Sequence, residues 1–160
     1  MNRILTLQIT LTILLLGMSY ASQLAAIEFV TTPDAVEVTI TQHPAKGDSL
    51  AIWFPSEAGP QQQDETIADA LASMGVEVWR IDLLEARFLP LAESSLVQVP
   101  VSDVQTLIEA AQTHSDKRIY LIAHGRAAIP VLRGARAWQL AHPTAVELGG
   151  IVLLSPKLFV

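Results

Sequence analysis

The residues best placed to do chemistry lie where an apolar run, Ile119-Tyr120-Leu121-Ile122, meets Ala123-His124-Gly125-Arg126-Ala127-Ala128 and then a helical pattern. His124 would act as a base only with a serine to activate and a carboxylate to orient it, and neither stands beside it in the sequence. Arg126 could hold a carboxylate or phosphate, or simply be a salt-bridged surface residue. Asp82 and Ser155 both fall at the ends of apolar runs, where a cap and a strand terminator are the ordinary roles. The other histidines, His43, His114 and His142, are scattered over turns and element ends. There is no H-x-x-x-H spacing, catalytic carboxylate pair or glycine-rich phosphate loop, so neither a metal site nor a cofactor is expected.

Charge and composition narrow the field further. At 160 residues the chain suits one domain, and with 51% hydrophobic residues it can bury a sizeable core. The segment Met1–Ala21 has a basic start (Arg3), an apolar run from Ile4 to Met18 and small residues around Ala21. That order is the layout of a secretory signal peptide, with cleavage expected near Ala21 and a periplasmic or secreted product without a membrane anchor. An apolar run of about fifteen residues is short for a span that needs about twenty. Losing Arg3 moves the formal charge from −6 to −7, and an acidic surface argues against nucleic acid as a partner. With no cysteine, disulfides, thiolate metal sites and a lipoprotein anchor are all excluded.

The elements that would position these residues alternate between short apolar strands and amphipathic helices, the pattern of a mostly parallel sheet flanked by helices. Two short strands open the region, Ile27–Thr31 and Val36–Ile40, the second with Val38 and Ile40 on one face and Glu37 and Thr39 on the other. Leu50–Phe54 reads as a buried strand. A helix follows over Asp64–Met74 with Ile67, Leu71 and Met74 inward, stopped by Gly75. Val76–Leu83 is a strand made wetter by Glu77 and Arg80. Glu85–Pro100 is a long irregular stretch, a length that calls for a task or an internal packing scheme. Ser102 and Gln105 form a capping box for a helix that turns Val104, Leu107, Ile108 and Ala111 inward. Arg118–Ala123 is a buried strand, Arg126–Ala141 a helix and Gly150–Leu154 another buried strand. Pro130 requires that helix to begin after Arg126 or to distort in its first turn.

This order of elements, about six strands in all, resembles the α/β-hydrolase fold from its antiparallel opening through its sixth strand, and the resemblance covers nearly all of residues 22–160. Ala123-His124-Gly125-Arg126-Ala127 is similar to the nucleophile elbow of that superfamily, in which small residues flank a serine on a strained strand-to-helix turn. The resemblance implies that Gly125 stands in the serine's place. Glycine adopts the required backbone without penalty and carries no oxygen. It further implies that His124 packs beneath the turn, and that Ser56-Glu57-Ala58-Gly59 lies where the second oxyanion-hole amide would be. An anion or an acyl group could then bind between that loop and the Arg126 amide, or the loop could be an ordinary turn.

The resemblance places a triad acid and histidine after Ser155, beyond the strands present, so the domain is expected to be incomplete. Its last strand would leave an edge able to pair with another chain. The expected function is that of an exported, hydrolase-like protein with a binding or accessory role rather than catalysis. A piece of an active esterase or lipase-type hydrolase, completed by residues beyond Val160, and a decaying, unstable gene product are the alternatives.

Overall fold

The computed structural model describes residues 26–146 and 148–159; the expected signal peptide lies outside them. Six strands form one mixed sheet in the order β1-β2-β4-β3-β5-β6. They are β1 Ala26–Thr31, β2 Glu37–His43, β3 Ser49–Phe54, β4 Val76–Ile81, β5 Arg118–His124 and β6 Leu148–Leu154. The pairs β1/β2 and β2/β4 are antiparallel; β3/β4, β3/β5 and β5/β6 are parallel. The helices are α1 Gln62–Ser73, the single turn α2 Leu83–Ala86, α3 Val101–His114 and α4 Ala128–Ala141. Among the described residues no helix is long and apolar enough to cross a membrane.

The period-two strands sort their side chains onto two faces. One face (Leu50, Ile52, Phe54, Trp79, Ile81, Leu121) packs against Val104, Leu107, Ile108 and Ala111 of α3 and Val131, Ala135 and Trp138 of α4. Burying a Leu or Ile side chain contributes about 1.5–3 kcal/mol, so this layer dominates stability. The α3–α4 crossing is tight. A β-carbon at Gly134 would stand 2.3 Å from the β-carbon of Val104, so only glycine lets the two backbones approach this closely. The other face (Ala51, Trp53, Val78, Ile122) is covered by a smaller layer of α1, through Ile67, Ala68 and Leu71.

Several local expectations are corrected. Met74 is not inward; it is the C-cap residue and 71% exposed, and Ala68 fills the core position instead. Glu77 does not wet β4. It is buried, with Lys117 Nζ at 2.7 Å, His114 Nε2 at 3.0 Å and the indole N–H of Trp79 at 3.0 Å. Burial pushes its carboxyl pKa up, but Lys117 and the Trp79 N–H outweigh that and hold it below the usual range. The Ser102/Gln105 capping box does not form. Helix α3 starts at Val101 with Pro100 as its cap residue, and the buried Asp103 turns to Arg87. Strand β6 is not buried; Val152 and Leu154 are exposed, because no helix of the described residues covers that flank on the α1 side. The Glu85–Pro100 stretch has its own packing scheme, with Leu96 and Val99 buried and a 3₁₀ turn at Leu96–Gln98.

Candidate functional site

The site assembles at the C-terminal ends of β3 and β5, which are neighbours in the sheet with Phe54 paired to Ala123. Strand β5 ends at His124, a 3₁₀ turn spans Gly125–Ala127, and α4 begins at Ala128. The turn relieves the conflict at Pro130: its missing N–H falls within the first turn of α4, where no intrahelical bond is lost. Gly125 is buried with φ +59°, a left-handed conformation that costs L-residues about 1–2 kcal/mol. Ala123 and Ala127 are both buried beside it, as the sharp bend requires. His124 is half-buried, and its ring makes no hydrogen bond to the described residues.

Strand β3 empties into Pro55 and then a turn closed by the Gly59 N–H donating to the Ser56 carbonyl at 2.9 Å. This turn brings Ser56 and Glu57 against Gly125. A β-carbon built on Gly125 would lie 2.7 Å from Glu57 Oε2 and 3.1 Å from the β-carbon of Ser56. The Arg126 backbone N–H donates to Glu57 Oε2 at 3.1 Å, and Lys157 Nζ donates to Glu57 Oε1 at 2.6 Å. The Lys157 N–H donates to the Gly125 carbonyl at 3.0 Å. Burial pushes the Glu57 pKa up, but the Lys157 ammonium and the Arg126 amide outweigh it and bring it down to about 2. The amide at the head of α4 therefore already holds an anion, and that anion is the chain's own carboxylate.

The remaining expected residues separate into members and bystanders. The Arg126 guanidinium is largely buried, pairs with Glu93 at 3.0 Å and donates to the Phe159 carbonyl. Ala58 is exposed, and Gly59 faces Leu91 and Asp82 rather than Gly125. Asp82 caps α2, accepting from the Leu84 and Glu85 N–H groups at 2.9 and 3.1 Å, as expected. Ser155 follows β6 and is exposed, with φ +45°. His43 pairs with Asp69 at 2.7 Å, and His142 stacks on Trp138. Among the described residues no three His, Cys, Asp or Glu side chains cluster as metal ligands.

Two features escaped the sequence. The sequence presents Glu57 as part of a loop of backbone donors, yet its side chain is an acceptor. Lys157 joins from 100 positions along the chain, and no local spacing announces such a pair.

No family model and no curated protein sequence matches the chain. Solved structures do. The chain is similar to Est1E from Butyrivibrio proteoclasticus, with TM-score 0.61 and 14% identity over 82% of this chain and 51% of that one. It is similar to the Pyrococcus furiosus esterase Pf2001, with TM-score 0.60 and 15% identity over 84% and 50%. It is also similar to a soluble variant of the monoglyceride lipase of Saccharomyces cerevisiae, with TM-score 0.64 and 12% identity over 87% and 46%. The chain thus spans about half the length of each of these structures. Sheet order, helix placement and these neighbours together establish an α/β-hydrolase-like fold.

Proposed function

We propose that this is an exported, hydrolase-fold protein that does not catalyse ester hydrolysis and serves a binding or accessory role. One observation carries the reading. At the bend between β5 and α4, the position that would present a nucleophile is Gly125, and the Glu57 carboxylate fills the space in front of it while accepting from the Arg126 amide. A hydrolase needs that amide free for a developing oxyanion, and a fixed negative charge there would repel one. An acyl or carboxylate ligand could enter only by displacing Glu57 from the amide. The outer edge of β6, with Val152 and Leu154 exposed, is a further surface for pairing with another chain.

The test is turnover of activated esters such as p-nitrophenyl acetate and butyrate by the purified chain. No rate above buffer is expected. Turnover abolished by an active-site serine reagent would overturn the reading. A second reading, a piece of an active esterase or lipase-type hydrolase, is favoured by the half-length match to esterases. The reading frame beyond Val160 discriminates: a continuation carrying a strand-end aspartate and a later loop histidine would support it.

A further inference from the structure

A groove separate from the bend at Gly125 lies on the α1 face of the sheet. Thr41 of β2, Arg80 of β4 and Trp53 of β3 stand side by side in register, and Thr39 lies two residues along β2. Together with the start of α1 and the α2 turn they line an open groove of about 650 Å³, within the range of small-molecule sites.

Its charge is unusual. The other partly buried cations are all matched: Arg87 with Asp34 and Asp103, Lys117 with Glu77, Arg126 with Glu93. Arg80 is half-buried on the groove floor, yet it has no ion pair and no hydrogen bond among the described residues. A half-buried guanidinium with no fixed partner is free to take an anion, and its planar fork suits a carboxylate. The Trp53 indole N–H beside it is also buried with no acceptor among the described residues.

The rim narrows the ligand. Glu37 and Glu85 line the groove without ion-pair partners among the described residues, and Asp64 and Asp82, each accepting from backbone N–H groups at a helix start, add two more carboxylates. Such a rim opposes added negative charge, a doubly charged phosphate more than a single carboxylate, and it accepts donors from an ammonium or hydroxyl group. The last wall is Phe88. It is 96% exposed at the groove's edge, and its φ of +52° is that of the residue ending α2 in a Schellman turn, with the Phe88 N–H donating to the Glu85 carbonyl and the Leu89 N–H to the Leu84 carbonyl. An apolar ligand group would cover it.

We propose that this groove binds small α-amino or α-hydroxy acids with an apolar side chain. The carboxylate sits on Arg80, the amino or hydroxyl group faces Thr39, Thr41 and the acidic rim, and the side chain lies against Phe88.

Isothermal titration of the purified protein with L-phenylalanine, L-3-phenyllactate, 3-phenylpropionate and phenethylamine tests this. Phenylalanine or phenyllactate should bind in the range of about 0.1–1 mM, and whichever binds tighter separates amino from hydroxy acids. Phenylpropionate, without the donor, and phenethylamine, without the carboxylate, should each be weaker by about tenfold or more. Arg80→Gln should weaken binding by a similar factor while leaving the melting temperature in place. Should Arg80→Gln fail to fold, Phe88→Ala carries the test, because an exposed ring supports no core; it should weaken phenyl ligands several-fold. No binding of either acid at about 10 mM, equal binding of phenylpropionate, or affinity unchanged in a folded variant would each overturn the proposal.

Discussion

Glu57 joins the two halves of the candidate site, and its energetics make a pH prediction. Its ordinary pKa of 4.5 falls to about 2 in the fold, because Lys157 and the Arg126 N–H favour the charged form more than burial disfavours it. A depressed folded pKa means that the unfolded chain binds the proton more readily. The stability contributed by this carboxylate is therefore complete above about pH 4.5 and is lost as pH falls towards 2. Urea unfolding across that window should show wild-type stability falling more steeply than that of Glu57→Gln. Parallel slopes would mean that the carboxylate is not held as the geometry indicates. At this scale the sequence was informative about backbone and silent about partners. Gly125, flanked by Ala123 and Ala127, marked a sharp bend because only small residues tolerate one, and the bend is there. That Glu57 would reach across to it depends on the approach of two loops, which no local pattern encodes.

At the scale of elements, Arg87 is the clearest organiser. From the end of α2 it donates to Asp103 on α3 at 2.8 and 2.5 Å and to Asp34 in the β1–β2 turn at 2.5 and 3.0 Å. The two carboxylates push its pKa up, and Arg87 in turn holds Asp34 well below the usual carboxylate range. Asp103 is fully buried. Arg87→Leu should therefore leave an uncompensated buried carboxylate and cost about 3–5 kcal/mol, read from urea unfolding. Asp34→Ala, at the exposed end of the cluster, should cost far less. Helix and strand existence was legible from periodicity: Val104, Leu107, Ile108 and Ala111 line the core as expected. Helix ends were less so. The Ser102/Gln105 capping pattern is present in the sequence, but Asp103 finds a stronger, charge-assisted partner in Arg87, and the helix starts two residues earlier, with Pro100 rather than Ser102 as its cap. Glu77 shows the same limit, because a carboxylate on a strand looks solvated until the cation that buries with it is located.

For the whole molecule, the larger core between the sheet and α3–α4 and the smaller one under α1 share β3, β4 and β5, so they should unfold together. Thermal unfolding of the protein is expected to give one cooperative transition, with near-ultraviolet and far-ultraviolet circular dichroism coinciding. A broad, probe-dependent loss of structure would support the unstable gene product instead. The sequence by itself determined the class of architecture, the succession of strands and helices and the glycine at the bend, because periodicity and backbone permissiveness are local properties of the chain. The tertiary structure alone decided that Glu57 occupies the Arg126 amide, that Arg80 stands in a groove with no ion pair among the described residues and that β6 has an exposed flank. Each of these is a matter of which distant groups meet, and charge pairing and burial are set by the packing of elements rather than by neighbours in sequence.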